Sequence, residues 1–147
     1  MQFQDICRHL KPYSIVASRT TTINHVFAFC IAASDTFDLE KVRAAIVALK
    51  QETDKNLVCA YGGLAAETWD HVHATVKKGE FSDHGNKLGN LLPCCKSCNS
   101  RKGNKHWLSY LKGMELPDNL QDERSTTVSS YLETYNAEDL APRHLPE

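Results

Sequence analysis

NLLPCCKSCNSRKGNK, residues 90–105, joins a short apolar run to closely spaced cysteines and then to a basic segment. The apolar run is bounded by Gly, Asn and Pro, which favours a short strand. After the cysteines the pattern becomes helical, with a first turn through Arg101 and an interruption near Gly103. The stretch therefore predicts a strand followed by a helix, with Cys95 and Cys98 near the junction.

Helical patterns flank this stretch on both sides. From Thr22 onward apolar residues recur on one helical face, and we expect Cys30 and His25 to be packing residues. Asp38 can cap a second helix, and a last helix is expected over residues 120–135. The residues expected on the buried stripes of these helices are Ile23, Val26, Phe27 and Ile31; Leu39, Val42, Ile46 and Leu49; Trp107, Leu108 and Leu111; and Val128, Tyr131, Leu132 and Tyr135.

Length and composition indicate one globular domain, since the chain has 147 residues of which 41% are hydrophobic. No run of 18 apolar residues occurs, and the N-terminal residues lack the continuous apolar centre of a signal peptide. We therefore expect a cytoplasmic protein with no membrane contact, whose six cysteines are reduced or bound to metal. The expected regions of the single domain 1–147 are a helical part (1–56), a short-stranded core (57–111), and a C-terminal helix and tail (112–147).

The formal net charge of −1 conceals an uneven distribution. Residues 77–105 carry seven lysines or arginines against two acids, whereas residues 115–147 carry eight acids against two arginines. A basic middle segment favours contact with nucleic acid, although a solvated surface explains many charge runs equally well.

Three short motifs occur in a fixed order: DH at residues 70–71, GN at residues 89–90, and CKSCN at residues 95–99. Together they resemble the HNH endonuclease family, over roughly residues 59–107. The resemblance implies an α+β fold with a small ββα-metal finger embedded between N-terminal and C-terminal helices. The third signature position is Asn99, so the chain resembles the H-N-N variant.

The resemblance also implies roles that the chemistry explains. Hydrolysis of a phosphodiester requires a base for water and a cation beside the phosphate. His71 is then the general base, Asp70 and Asn99 hold a Mg²⁺-type ion (or Mn²⁺ or Ni²⁺), and Asn90 orients the base. The residues expected to contact the phosphate backbone are Lys96, Arg101, Lys102 and Lys105.

A structural zinc ion is a separate question. Relatives of this kind bind zinc through two C-x-x-C pairs, but here Gly62 stands where the partner of Cys59 is expected. Zinc can bind through Cys59, Cys95 and Cys98 with a histidine, Cys94 or water as fourth ligand, or the thiols can pack as small apolar groups. Both alternatives remain open, and consecutive side chains in an extended segment diverge, which disfavours Cys94.

The leading prediction is a DNA endonuclease; RNA is the less favoured substrate, and a homodimer or a larger nuclease complex is a possible assembly. The alternatives are a nucleic-acid-binding module that keeps the finger but does not cut, and a thiol-redox protein, for which no thioredoxin-like pattern exists. His73 is expected to fill core or surface, His84 has no assigned role, and His106 can stack or contact backbone phosphate.

Overall fold

The computed structural model describes residues 14–82 and 84–135. The helices are α1 (Ser14–Ile31), α2 (Leu39–Ala48), α3 (Lys96–Lys102), α4 (Trp107–Lys112) and α5 (Asp118–Tyr135). The strands are β1 (Thr68–His71), β2 (Val76–Lys77), β3 (Glu80–Phe81) and β4 (Leu91–Cys94), and a 3₁₀ turn covers Leu88–Asn90. The predicted α+β class is therefore confirmed.

The strand–helix junction predicted from residues 90–105 is present. β4 pairs antiparallel with β1, so that Asp70 lies opposite Leu92 and His71 opposite Leu91. Helix α3 follows β4 after one residue and packs against β1. It ends at Gly103, whose φ of +48° lies in the region that glycine adopts most easily. Two antiparallel strands and a helix thus form the centre of the molecule in the order β1, β4, α3.

A small hairpin and an anchored loop lie between β1 and β4. β2 and β3 pair through a two-residue turn in which Lys78 and Gly79 both have positive φ, as in a type I′ turn. The loop that follows is tied to the N-terminal region, because the backbone N–H of Asp35 donates to the Asn86 carbonyl at 3.1 Å. The Asp35 carboxylate accepts from the backbone N–H of Leu88 at 2.9 Å.

The core lies where α2, α4 and α5 cover the β1–β4 pair. Asp38 caps α2 as predicted, accepting from the backbone N–H groups of Glu40 and Lys41 at 3.0 and 3.2 Å. Most predicted stripe positions on α2, α4 and α5 lie in or against this core. The buried residues at its centre include Ile46 and Leu49, Tyr61, Leu92, Trp107 and Leu111, and Val128 and Tyr131.

Helix α1 departs from the prediction. Cys30 and His25 are exposed, and Phe27, on the predicted buried face, is 66% exposed. The reason is that α1 contacts only the small β2–β3 hairpin extensively, so little of its apolar face is covered. Leu39 at the start of α2 is also half exposed. For α1, apolar periodicity therefore predicted the helix but not its burial.

No helix among the described residues is both long and apolar enough to cross a membrane. The predicted C-terminal tail falls in residues 136–147, which lie outside the described part of the chain.

Candidate functional site

Helix α3 carries five of the predicted site residues, of which Cys98, Asn99 and Lys102 are buried or half-buried. Cys98 and Lys102 are one turn apart, which places them on the same face, and both are buried. Asn99 is half-buried, and no hydrogen bond joins its side chain to another described residue. The short helix therefore supplies one buried thiol, one buried ammonium and one amide available for a ligand.

The buried ammonium of Lys102 pairs with Asp70, and this corrects the expectation that Lys102 contacts DNA. Its Nζ lies 3.1 Å from both carboxylate oxygens of Asp70 and also donates to the His71 carbonyl at 2.8 Å. The Tyr61 hydroxyl donates to Asp70 Oδ2 at 2.8 Å. Lys102 is only 1% exposed, so it has no access to a phosphate backbone in this arrangement. We call Tyr61, Asp70 and Lys102 the ion-pair cluster.

Asp70 was expected to bind metal, and its carboxylate is the right kind of donor for a hard cation. Burial raises the pKa of the Asp70 carboxyl, while the nearby Lys102 charge and the Tyr61 hydroxyl lower it. Because both oxygens already have partners, a metal ion can bind Asp70 only if the Lys102 ammonium moves away. The Asp70 carboxylate and the Asn99 amide therefore fit the implied ion chemically, provided that Lys102 is displaced.

His71 lies half-buried at the end of β1. Its Nε2 is 2.8 Å from Asn86 Oδ1, and since an amide oxygen only accepts, Nε2 carries the proton of this hydrogen bond. That contact assigns the tautomer and leaves Nδ1 with the lone pair. Among the described residues no hydrogen bond engages Nδ1, so the ring is arranged to accept a proton there.

Asn90 is a positioning residue rather than one that faces a ligand, because it is 1% exposed. Its Oδ1 accepts from the His73 backbone N–H at 2.7 Å, and its Nδ2 donates to the carbonyls of His73 and Gly85 at 3.1 and 3.0 Å. Asn90 thereby joins the segment leaving β1 to the loop that carries Asn86. Asn90 makes no hydrogen bond to His71, so it can orient the base, as expected, only indirectly through these backbone segments.

The other predicted phosphate contacts lie at the surface. Lys96, Arg101 and Lys105 are all exposed. The Lys96 ammonium lies 3.3 Å from the Glu67 carboxylate, in a pair that solvent screens. Arg101 and Lys105, near the C-terminal end of α3, remain available to contact a phosphate backbone.

The four cysteines of the central region are all buried and close together. The sulfurs of Cys59, Cys95 and Cys98 lie within 4.8 Å of one another, so this group can hold a metal ion. Cys94 is outside that group, but its Sγ lies 3.7 Å from Cys59 Sγ. Zn–S bonds of about 2.3 Å in a tetrahedron separate the sulfurs by about 3.8 Å. We call Cys59, Cys94, Cys95 and Cys98 the thiol cluster.

The protonation of the thiol cluster is uneven. The side-chain hydrogen bond between Cys59 and Cys94 lowers the pKa of Cys59 to about 4, although burial opposes this. The same hydrogen bond and burial raise the pKa of Cys94, and burial raises the pKa of Cys98 to about 11. Cys59 is therefore the cysteine of the cluster that loses its proton most easily, and thiolate is the form that binds metal.

Position 62 faces the thiol cluster. The Gly62 backbone N–H donates to Cys59 Sγ at 3.3 Å. A Cβ placed on Gly62 would lie 3.0 Å from Cys98 Sγ and 3.9 Å from Cys59 Sγ. The glycine therefore stands where a fourth ligand side chain would enter.

Sequence reasoning missed the partners of the predicted residues. Nothing in the sequence pointed to Tyr61 or Asn86, which come from other loops. The burial of Lys102 could have been predicted from the sequence, because Lys102 lies four residues after Cys98 and therefore on the same helix face. The local excess of positive charge obscured that pattern.

Comparison of the chain with protein-family models, curated proteins and solved structures found no match.

Proposed function

We propose that this chain is a metal-dependent endonuclease that hydrolyses phosphodiester bonds in DNA, acting in the cytoplasm. The observation that carries the proposal is the hydrogen bonding of the His71 ring, which sets its tautomer. Its Nε2 is held by Asn86 and its Nδ1 is left to accept a proton, one residue from the Asp70 carboxylate. The order of DH, Asn90 and CKSCN in the sequence, shared with HNH endonucleases, supports the same function.

In this mechanism His71 Nδ1 removes a proton from the attacking water. Asn86 keeps the ring in the correct tautomer and stabilises the imidazolium that forms. Asn90 holds the two backbone segments that carry His71 and Asn86. Arg101 and Lys105 bind backbone phosphates, which gives affinity without sequence selectivity. The resemblance implies products with 5′-phosphate and 3′-hydroxyl ends.

Asp70 and Asn99 hold the cation, which is Mg²⁺ or Mn²⁺ in preference to zinc because both donors are hard oxygens. When bound, the ion neutralises charge on the phosphate and on the departing oxygen. Asp70 would hold the ion only with the Lys102 ammonium displaced from its carboxylate.

The thiol cluster has a structural role in this proposal. Cys59, Cys95 and Cys98 would hold Zn²⁺, with water as the fourth ligand unless Cys94, which lies outside the group, moves closer. This metal stabilises the packing of α3 on the strands and takes no part in the hydrolysis.

The test is cleavage of supercoiled plasmid in the presence of Mg²⁺, Mn²⁺ or Ni²⁺. Wild-type protein should convert it to nicked or linear DNA, and His71→Ala should slow the reaction about 10²- to 10⁴-fold. His25→Ala is the matched control, because His25 is an exposed histidine on α1. Cleavage that survives His71→Ala would exclude His71 as the base.

A non-cleaving nucleic-acid-binding module is the second candidate, and one observation favours it. The Lys102 ammonium already neutralises Asp70, as expected where no catalytic ion binds. Absence of cleavage with all three metals, together with retained DNA binding, would support this module over the nuclease.

A further inference from the structure

A basic cavity lies between the β2–β3 hairpin and the segment that follows α3. Its volume is about 490 Å³, within the range of about 300–1,000 Å³ that is common for ligand sites. His71 is not among its lining residues. The imidazole and ammonium groups that line it are those of His73, His84, His106, Lys77, Lys78 and Lys105, and we call this cavity the histidine pocket.

Two of the imidazoles are stacked. The ring centroids of His73 and His84 are 4.3 Å apart, with an angle of 20° between the planes. Burial lowers the pKa of His73, and the positive charges of His84 and His106 add to this effect. Cations so close together repel one another, so an anion in the pocket would favour their protonation.

The lysines of the histidine pocket lack a matching set of acids. Over residues 14–82 and 84–135, no carboxylate forms a salt bridge with Lys77, Lys78 or Lys105. Glu80 is the one acid among the lining residues; it lies opposite Lys77 in the hairpin register without an ion pair. Three lysines and one glutamate leave the described lining with a charge of +2 before any histidine is protonated. Asp83, in the adjoining loop, lies outside the described residues.

We propose that the histidine pocket binds a backbone phosphate of the nucleic-acid strand, next to the phosphate that faces His71. Imidazole and ammonium N–H groups are donors and phosphate oxygens are acceptors, so the chemistry matches without any base contact. His73 follows His71 by two residues, and their backbones are therefore no more than about 7 Å apart. A nucleic-acid strand carries successive phosphates along its backbone, so it can place one phosphate at His71 and the next in the histidine pocket. The proposal rests on the proposed function, because it takes nucleic acid as the substrate.

The experiment measures the affinity of a short fluorescein-labelled oligothymidylate by anisotropy, in EDTA so that no cleavage occurs. The test variant is Lys77→Gln/Lys78→Gln, which changes two exposed lysines of the pocket that have no role in the proposed nuclease mechanism. The matched control is Lys41→Gln/Lys112→Gln, which removes two exposed lysines elsewhere. His84→Gln is a second test variant that keeps the polarity of the site.

The pocket double variant should bind about tenfold more weakly than wild type, and its slope of log affinity against log salt should fall by about 1.4. His84→Gln should also weaken binding, whereas the control should change affinity no more than about twofold, because charges outside the site are screened. Equal losses in the pocket and control variants would overturn the proposal. So would an NMR titration in which inorganic phosphate shifts the pocket histidines while the pocket variants bind oligonucleotide normally, since the site would then take only the free ion.

These experiments distinguish failure of the pocket proposal from failure of the nuclease proposal. If no metal supports plasmid cleavage but the pocket variants bind oligonucleotide weakly, the nuclease proposal fails and the phosphate site stands. If cleavage depends on His71 while the pocket variants keep wild-type affinity and KM, the pocket proposal fails and the nuclease stands.

Discussion

The thiol cluster and the ion-pair cluster each include one residue from the same face of α3, Cys98 and Lys102, one turn apart. The two clusters differ in how their buried polar groups are paired. Cys98 contributes a sulfur to a group of thiols, which carry no formal charge when protonated and are themselves weak hydrogen-bond donors and acceptors. Lys102 contributes a full charge to a carboxylate that also receives the Tyr61 hydroxyl. Among the described residues no buried side-chain nitrogen or oxygen lacks a hydrogen-bond partner.

This difference determines what each cluster requires in order to bind a metal. Thiols need only lose protons, and the lowered pKa of Cys59 favours loss of the first one. The ion-pair cluster must give up the contact between Asp70 and Lys102 first. Zinc binding at the thiols is therefore opposed mainly by the missing fourth ligand, and binding of a hard cation at Asp70 by an internal competitor.

The largest expected effect comes from breaking the ion pair. Lys102→Met should lower the free energy of unfolding by about 3–5 kcal/mol, because it leaves the Asp70 carboxylate buried without its cation. Asp70→Asn/Lys102→Met should recover part of that loss, since neither charge then remains. Urea denaturation of the two variants and wild type measures both quantities.

Lys96→Met is the control for this prediction. It removes an exposed lysine of the same helix that also pairs with an acid, and it should change stability little. Equal stability of Lys102→Met and Lys96→Met would contradict the buried ion pair.

A smaller gain is expected from completing the thiol cluster. Gly62→Cys places a thiol at position 62, where a Cβ would face Cys98 and Cys59, as a fourth sulfur ligand beside Cys59, Cys95 and Cys98. With zinc at about 100 times its Kd, the variant should be more stable than its zinc-free form by about 2.7 kcal/mol. Thermal unfolding with and without zinc measures the gain, and wild type should gain less at the same concentration.

Gly62→Ala is the matched control, because it adds the Cβ without the sulfur. It should show no added zinc response relative to wild type. If Gly62→Cys and Gly62→Ala respond equally to zinc, position 62 is not the missing ligand position.

The smallest expected effect concerns the partner of His71. Asn86→Ala removes the acceptor of the Nε2 hydrogen bond, and should cost about 1 kcal/mol of stability. Cleavage should fall about tenfold, as is common when a partner that orients a histidine is lost. The pH profile of the cleavage rate distinguishes the roles, because a purely structural loss would leave its shape unchanged.

Local patterns predicted the central elements well. The end of α3 at Gly103, the cap at Asp38 and the buried faces of α4 and α5 all follow from short-range rules that the residues obey. Helix α1 shows the limit of such rules. Its apolar face is as regular as that of α5, yet burial depends on what else packs there, and periodicity carries no information about that.

The candidate site was predictable to a smaller extent. Resemblance singled out Asp70 and His71, but their partners come from distant loops, at Tyr61 and Asn86, and no spacing in the sequence joins them. Counting charges assigned Lys102 to the surface, whereas its position on α3 relative to Cys98 would have indicated burial. A charge count treats every lysine alike, whereas the helical period separates a lysine on the buried face from one on the exposed face.

The central claim is that a hard divalent cation replaces Lys102 at Asp70, beside His71 and Asn99. Adding small amounts of Mn²⁺ to ¹⁵N-labelled protein tests it directly, because the paramagnetic ion broadens the amide signals nearest to it, and Mn²⁺ prefers oxygen ligands over thiols. The account predicts that the signals of residues 70, 71 and 99 broaden first, and that Asp70→Asn removes the effect. Broadening confined to other parts of the chain, or broadening that is the same in Asp70→Asn, would contradict it.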